Sequence, residues 1–236
     1  MSRVILAVLC VVGLALGLAG AAQAGLLTGP GGIMCPTGAH PTLGRDWAAG
    51  DTYQLVFVTS TTTQATQTGI AYYNTFVNTA ADGSSLTGVP DVTWYAIASA
   101  YSPATSARNT AIVSAPVYRL DLALVATGYA DIWKGSITVP IEVNENGVWS
   151  AGCEYVWTGT FPDGLPLSGR ELGGSEPLAG RGYWANGYWM HQTGYTITNY
   201  CPLYALSEEL TITPEPATLA LLGLGGLGML LGRKRK

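Results

Sequence analysis

The side chains able to do covalent chemistry are few and scattered. His40 and His191 are the only histidines. They stand far apart, and neither sits in a zinc-type spacing such as HExxH. No G-x-S-x-G turn raises a serine nucleophile, and no glycine loop closes on a lysine to cradle phosphate. Glycoside hydrolysis needs only two carboxylates flanking a bond. Asp163, Glu171 and Glu176 share one loop-rich stretch and are the candidates for it, although acidic residues on an exported domain are ordinarily just solvated. The more distinctive chemistry is non-covalent. Between Arg181 and His191, Tyr183, Trp184, Tyr188 and Trp189 are interleaved with glycine and Asn186. Exposed aromatic faces stack on sugar rings and an asparagine pairs with hydroxyls. Strand alternation would instead turn some of these rings into the core. No catalytic or metal-ligating residue is assigned, and no cofactor is expected.

Composition narrows the classes further. The chain has 236 residues, enough for one domain plus terminal segments, and only 11% are charged, against roughly 25% in average soluble proteins. Between Gly25 and Pro214 there are 6 basic and 14 acidic residues, a net charge of −8. That balance excludes a nucleic-acid binder, which needs lysine and arginine clusters against phosphate. A middle rich in Gly, Thr, Ala, Tyr and Trp is common in β-rich extracellular domains. Of the four cysteines, Cys10 lies in the first apolar run. Cys35, Cys153 and Cys201 leave room for at most one internal disulfide, which an oxidising compartment permits. The expected pair is Cys153–Cys201.

The two ends carry addresses. Residues 1–24 place Arg3 ahead of the apolar run Val4–Ala19, and Ala22-Gln23-Ala24 forms a small-x-small cleavage site before Gly25, the pattern of a secretory signal peptide. At the other end Pro214-Glu215-Pro216 precedes an uncharged apolar run, residues 217–232, and then Arg233, Lys234, Arg235 and Lys236. As a helix that run would be ~24 Å long, short for a ~30 Å hydrocarbon core, but terminal arginine and lysine can snorkel to the interface. The expectation is a transmembrane helix with its basic tail in the cytoplasm. The triplet, apolar span and basic cluster together resemble the PEP-CTERM sorting signal of Gram-negative bacteria. That resemblance implies processing by exosortase near Pro214–Pro216, transient residence in the inner membrane, and delivery to the cell surface, where such proteins are associated with extracellular polysaccharide. The competing reading is an ordinary C-terminal anchor. Leu165-Pro166-Leu167-Ser168-Gly169 looks like a sortase box but lies far upstream of the apolar run, so it reads as a surface loop.

The elements that must position the middle are short. Residues 25–46 are Gly/Pro-rich and loop-like, and the domain is expected over 47–213. Thr52–Ser60 and Val92–Ser99 read as strands, as do Pro116–Val125, Ile137–Val143, Tyr195–Thr198 and Leu203–Ile212. Val156–Gly159 reads as the end of another. Ile70, Tyr73, Phe76, Val77 and Ala80 recur at helical spacing within 65–81, and Asp131–Trp133 suggests a turn or short helix. One early helix followed by many short strands points to α+β.

Several pieces in order resemble the endostatin-like branch of the C-type-lectin-like fold: Trp94–Ser99, Ala115–Leu120, Asp131–Gly135, Val156–Thr160, Pro162–Gly164 and Cys201–Glu208. The resemblance implies a lectin-like domain, but its disulfide framework does not transfer. Leu206 stands where a cysteine is expected, and the partner near Glu171 and Leu172 is missing. Sugar-binding members hold calcium with a Glu-Pro-Asn loop and a Trp-Asn-Asp strand. The echoes here, Glu176-Pro177-Leu178 and Trp184-Ala185-Asn186, each lack an oxygen ligand, and calcium takes six to eight. The expectation is a non-enzymatic surface protein that binds a glycan or another matrix component. A secreted polysaccharide hydrolase and a purely structural biofilm or coat protein are the rivals.

Overall fold

The computed structural model describes residues 27–150 and 154–214. The signal segment with Ala22 and Ala24, Cys153, Glu215, Pro216, the apolar run 217–232 and the basic tail 233–236 lie outside the described residues. The described residues fall into two units, Gly29–Ile212 and the ends, residues 27–28 with 213–214. In the unit of the ends, Leu27–Thr28 and Thr213–Pro214 make an antiparallel ladder. Leu27 lies opposite Pro214 and Thr28 opposite Thr213, and the Thr213 hydroxyl donates to the Thr28 carbonyl at 3.3 Å.

The body, Gly29–Ile212, is organised by the strand Thr52–Val58. Residues 53–58 are buried throughout, so both faces of this strand are covered. That explains a sequence (TYQLVFV) that runs apolar rather than alternating. Its six-stranded sheet runs Trp94–Ala96, Tyr204–Ser207, Thr52–Val58, Val117–Arg119 and Leu124–Ala126, with Leu210–Thr211 pairing back onto the start of the central strand. All pairings are antiparallel except that of Thr52–Val58 with Val117–Arg119. Gln54 is the polar exception in the central strand. Its amide donates to the Ser207 carbonyl at 2.8 Å and the Ile112 carbonyl at 2.9 Å, and accepts from the Ser114 N–H at 2.9 Å. A buried amide with all these partners carries no desolvation penalty.

The expected helix is present as Ile70–Asp82 and buries Tyr73, Val77, Ala80 and Ala81. It starts five residues later than the apolar spacing suggested. Ala65 is buried, but its N–H donates to the Ile197 carbonyl and its carbonyl accepts from Gly173, so its backbone is engaged in loop pairing. The helix lies along Trp94–Ala96, a strand at the end of the sheet. Asn74 and Asn78, one turn apart, face that strand. The Asn78 amide accepts from the Trp94 N–H at 3.0 Å and donates to the Trp94 carbonyl at 2.6 Å, and Asn74 accepts from the Ala96 N–H at 2.9 Å. Backbone groups that a further strand would have paired are satisfied by side chains. Asn78→Ala strands both Trp94 groups and is expected to lower the unfolding free energy by about 2 kcal/mol. Thr79→Ala, which removes one exposed hydroxyl bond within the helix, is expected to cost under ~0.5 kcal/mol. Urea denaturation of the two variants checks the difference.

A second sheet of three antiparallel strands comprises Val156–Trp157, Leu178–Gly180 and Thr193–Gly194. It joins the first through a parallel bridge between Trp157 and Leu203. Gly180 is obligatory here, because a Cβ on it would sit 1.9 Å from the Trp189 carbonyl oxygen. A small hairpin, Ala100–Tyr101 with Ala104–Thr105, short helices at Ala107–Thr110 and Tyr129–Ile132, and 3-10 turns at Pro30–Gly32 and Gly187–Trp189 are the other regular elements among the described residues. The architecture is therefore a mixture of helix and sheet with few helices.

Two expected strands are not regular strands. In 137–143, Ile137, Ile141 and Val143 are buried in the core, but the backbone serves scattered partners. Ile137 N–H donates to Ala185, Thr138 N–H donates to Val125, and the Val143 carbonyl accepts from Val58. Pro140 has no N–H to give a ladder. Tyr195–Thr198 likewise serves loop contacts. Pro116–Val125 is a hairpin of two strands rather than one, turning through Leu122 at φ +64°. No helix among the described residues is long and apolar enough to cross a membrane.

Candidate functional site

The aromatic segment splits according to its local backbone. The 3-10 turn Gly187–Trp189 sends consecutive residues in opposite senses. Trp189 is fully buried and packs at 5.6 Å on Tyr204, so this expected ligand residue belongs to the core. Tyr183, Trp184 and Tyr188 are exposed by 48%, 37% and 51%, enough for all three to meet a ligand. They also meet each other. The ring centroids of Tyr183 and Trp184 are 6.2 Å apart with planes inclined at 48°. Those of Trp184 and Tyr188 are 5.5 Å apart, edge to face at 79°. Asn186, also expected to meet a ligand, uses its carbonyl oxygen to accept from the Tyr188 N–H at 3.1 Å. It caps the turn and fixes where Tyr188 projects.

Arg181 bounds the segment in sequence, but its partners Glu154, Tyr155 and Tyr195 come from other positions and escaped the sequence reading. The Arg181 guanidinium lies over the Tyr155 ring at 4.7 Å and the Tyr183 ring at 5.7 Å. It donates to the Tyr155 hydroxyl at 3.0 Å, to the Tyr183 hydroxyl, and to Glu154 at 3.0 Å. Tyr155 in turn stacks on Tyr195 at 4.6 Å with planes 20° apart. The arginine thus ties the exposed loop to the second sheet. The backbone repeats the tie, with Arg181 N–H donating to the Tyr188 carbonyl at 2.8 Å. An arginine just before a tyrosine-rich loop, with a Glu-Tyr pair opening a neighbouring strand, was the available signal, but it has no fixed spacing.

The acidic candidates are differently placed. Glu176 is exposed and ion-paired to Arg170 at 2.8 Å. Asp163 accepts from the Leu165 N–H at 3.0 Å and stiffens its own loop. Glu171 is buried, and its Oε2 has no hydrogen-bond partner among the described residues. The two histidines are in separate settings. His40 packs at 4.1 Å on Trp47. His191 meets Phe161 edge-on at 4.8 Å, and its pKa is lowered by burial and by the nearby Arg170 charge. No cluster of three or more His, Cys, Asp or Glu side chains that could hold a metal ion occurs among the described residues. Of the calcium echoes, Glu176 is engaged by Arg170, Leu178 is buried, and Asn186 is occupied as a cap.

Cys201 is a buried free thiol whose burial pushes its pKa up to about 12. Its expected partner, Cys153, is not among the described residues. Leu165 and Leu167 are 44% and 42% exposed, as fits a surface loop.

Residues 213–236 match the PEP-CTERM protein-sorting motif. This is the sorting signal of an exported protein that exosortase handles, and it directs the chain to the cell surface in Gram-negative bacteria. The first proline of the motif's triplet, Pro214, is the residue paired with Leu27 in the terminal ladder. No curated protein matches the chain, and the endostatin-like reading of the middle has no support from these comparisons.

Proposed function

We propose that the chain is a non-enzymatic binding module that holds a glycan or another matrix component at the cell surface. The exposed cluster Tyr183–Trp184–Tyr188 carries this reading. Three large rings kept in solvent, on a turn braced by Asn186 and Arg181, forgo the burial that would stabilise the fold. Stacking on a ligand is the use that accounts for them. The sorting motif supplies the address and, in this reading, is removed after brief residence in the inner membrane. A C-type-lectin-like arrangement of the body is part of the proposal. Its supports are the single long early helix, the many short strands and the Trp157-Thr158-Gly159 segment linking two sheets, and it stands as analogy of fold only.

The hydrolase reading has the buried, half-unpartnered Glu171 carboxylate in its favour. Against it, Glu176 is ion-paired and Asp163 is engaged by its own loop. The test is binding of the purified chain to polysaccharide extracted from the producing cells. The expected result is saturable binding that is lost when Tyr183, Trp184 and Tyr188 are changed together to alanine. Release of reducing ends that stops in Glu171→Gln would favour the hydrolase. A deletion strain with a defective matrix but a protein that binds no polymer would favour the coat.

A further inference from the structure

The shape and charge of the aromatic surface narrow the kind of glycan, and this step rests on the binding reading above. The three exposed rings do not share a plane. Neighbouring planes meet at 48° and 79°, with centroids 6.2 Å and 5.5 Å apart. A flat polymer face is met by coplanar rings separated by a disaccharide repeat, and both separations are shorter than that. Rings this close and this inclined offer a bent aromatic surface rather than a flat platform, of a size to stack on one sugar ring, at a chain end or branch.

The charges tied to these rings are neutral in sum, because Arg181 is balanced by Glu154 at 3.0 Å. Only 18% of the Arg181 side chain is exposed, so it is not a free anion receptor. Its donors already occupy the Tyr155 and Tyr183 hydroxyl oxygens. A phenol that accepts from a guanidinium keeps its own O–H free to donate. These two hydroxyls are therefore available as donors, suited to sugar hydroxyl and ring oxygens and unsuited to an ammonium group. Around this neutral patch the body carries a net charge of −8, which repels a polyanion at moderate ionic strength.

We propose that Tyr183, Trp184 and Tyr188 form a bent surface for a single uncharged pyranose of a soluble neutral polysaccharide, with Tyr155 and Tyr183 donating hydrogen bonds to it. Trp184 lies between the other two rings and is the pivot of that surface.

The experiment is affinity electrophoresis of the full chain in detergent through gels carrying a soluble neutral glucan, galactan or mannan, alginate, or chitosan, with a parallel pull-down on microcrystalline cellulose. Each run includes Trp184→Ala and, as a control, Tyr200→Ala, which removes a ring 69% exposed elsewhere on the surface. The expected result is retardation by at least one soluble neutral polymer, weakened about tenfold by Trp184→Ala and unchanged by Tyr200→Ala. Trp184-dependent binding confined to alginate, chitosan or cellulose would overturn the neutral single-ring surface while leaving the binding module standing. Polymer binding that Trp184→Ala and the triple alanine variant both leave intact, or no binding to any polymer, would overturn both. Unchanged thermal unfolding of Trp184→Ala separates loss of contact from loss of fold.

Discussion

Trp157→Ala is expected to lower the unfolding free energy by about 4 kcal/mol, the middle of the range for emptying a buried aromatic site. Trp157 is fully buried at the meeting of the two sheets. Its backbone N–H donates to the Pro202 carbonyl at 2.9 Å, and its indole N–H donates to the Thr63 carbonyl at 3.0 Å. Alanine leaves a cavity and removes one of the two donors to the Thr63 carbonyl, which keeps the Cys201 N–H at 3.0 Å. Against a typical net stability of about 5–15 kcal/mol, that loss puts the variant at the edge of folding. Trp157→Phe refills much of the volume but not the hydrogen bond, and is expected to cost about half as much. Equilibrium urea denaturation of both variants gives the answer. A cost below ~1 kcal/mol for the alanine variant would mean that the Trp157 indole does not hold the two sheets together.

The second large effect concerns processing. Changing Pro214, Glu215 and Pro216 together to alanine is expected to leave the chain as an unprocessed precursor in the membrane fraction, ending at Lys236. The native chain is expected at the surface without its tail. Two prolines so close disfavour helix through the triplet and keep it extended, the form in which a peptidase takes its substrate. Pro214 is exposed in the structure. Alanine, the strongest helix former, removes that bias. Intact-mass measurement on the membrane and surface fractions decides between the two. A native surface form that retains Arg233–Lys236 would refute removal of the tail.

Much of the frame was legible because it rests on periodicity. Tyr73, Val77 and Ala80 recur at helical spacing and are buried as that spacing predicts. The β-branched run from Thr52 is the central strand. What periodicity could not show was where backbone hydrogen bonds go. The apolar residues of 137–143 enter the core as expected, yet Pro140 and a set of dispersed partners keep the segment out of a ladder. The aromatic site was legible in kind but not in membership. Tyr188 and Trp189 are adjacent and look equivalent in sequence, and only the turn capped by Asn186 separates the exposed ring from the buried one. Arg181, Tyr155 and Tyr195 meet through tertiary packing, which leaves no spacing to read. The sorting motif is the opposite case, since it is a linear signal and is complete in the sequence.

The pairing of Asn74 and Asn78 with Trp94–Ala96 has a consequence beyond the stability of one strand. A protein sent to a crowded cell surface works at high local concentration, beyond the reach of cytoplasmic chaperones. A bare sheet margin there would template end-to-end growth into fibres. Two asparagines fill one margin, and at the opposite margin the Val125 carbonyl is taken by the Thr138 N–H. Copies of this chain are thereby steered away from polymerising through their backbones. In the proposed binding role, contact with a matrix would rest on side chains.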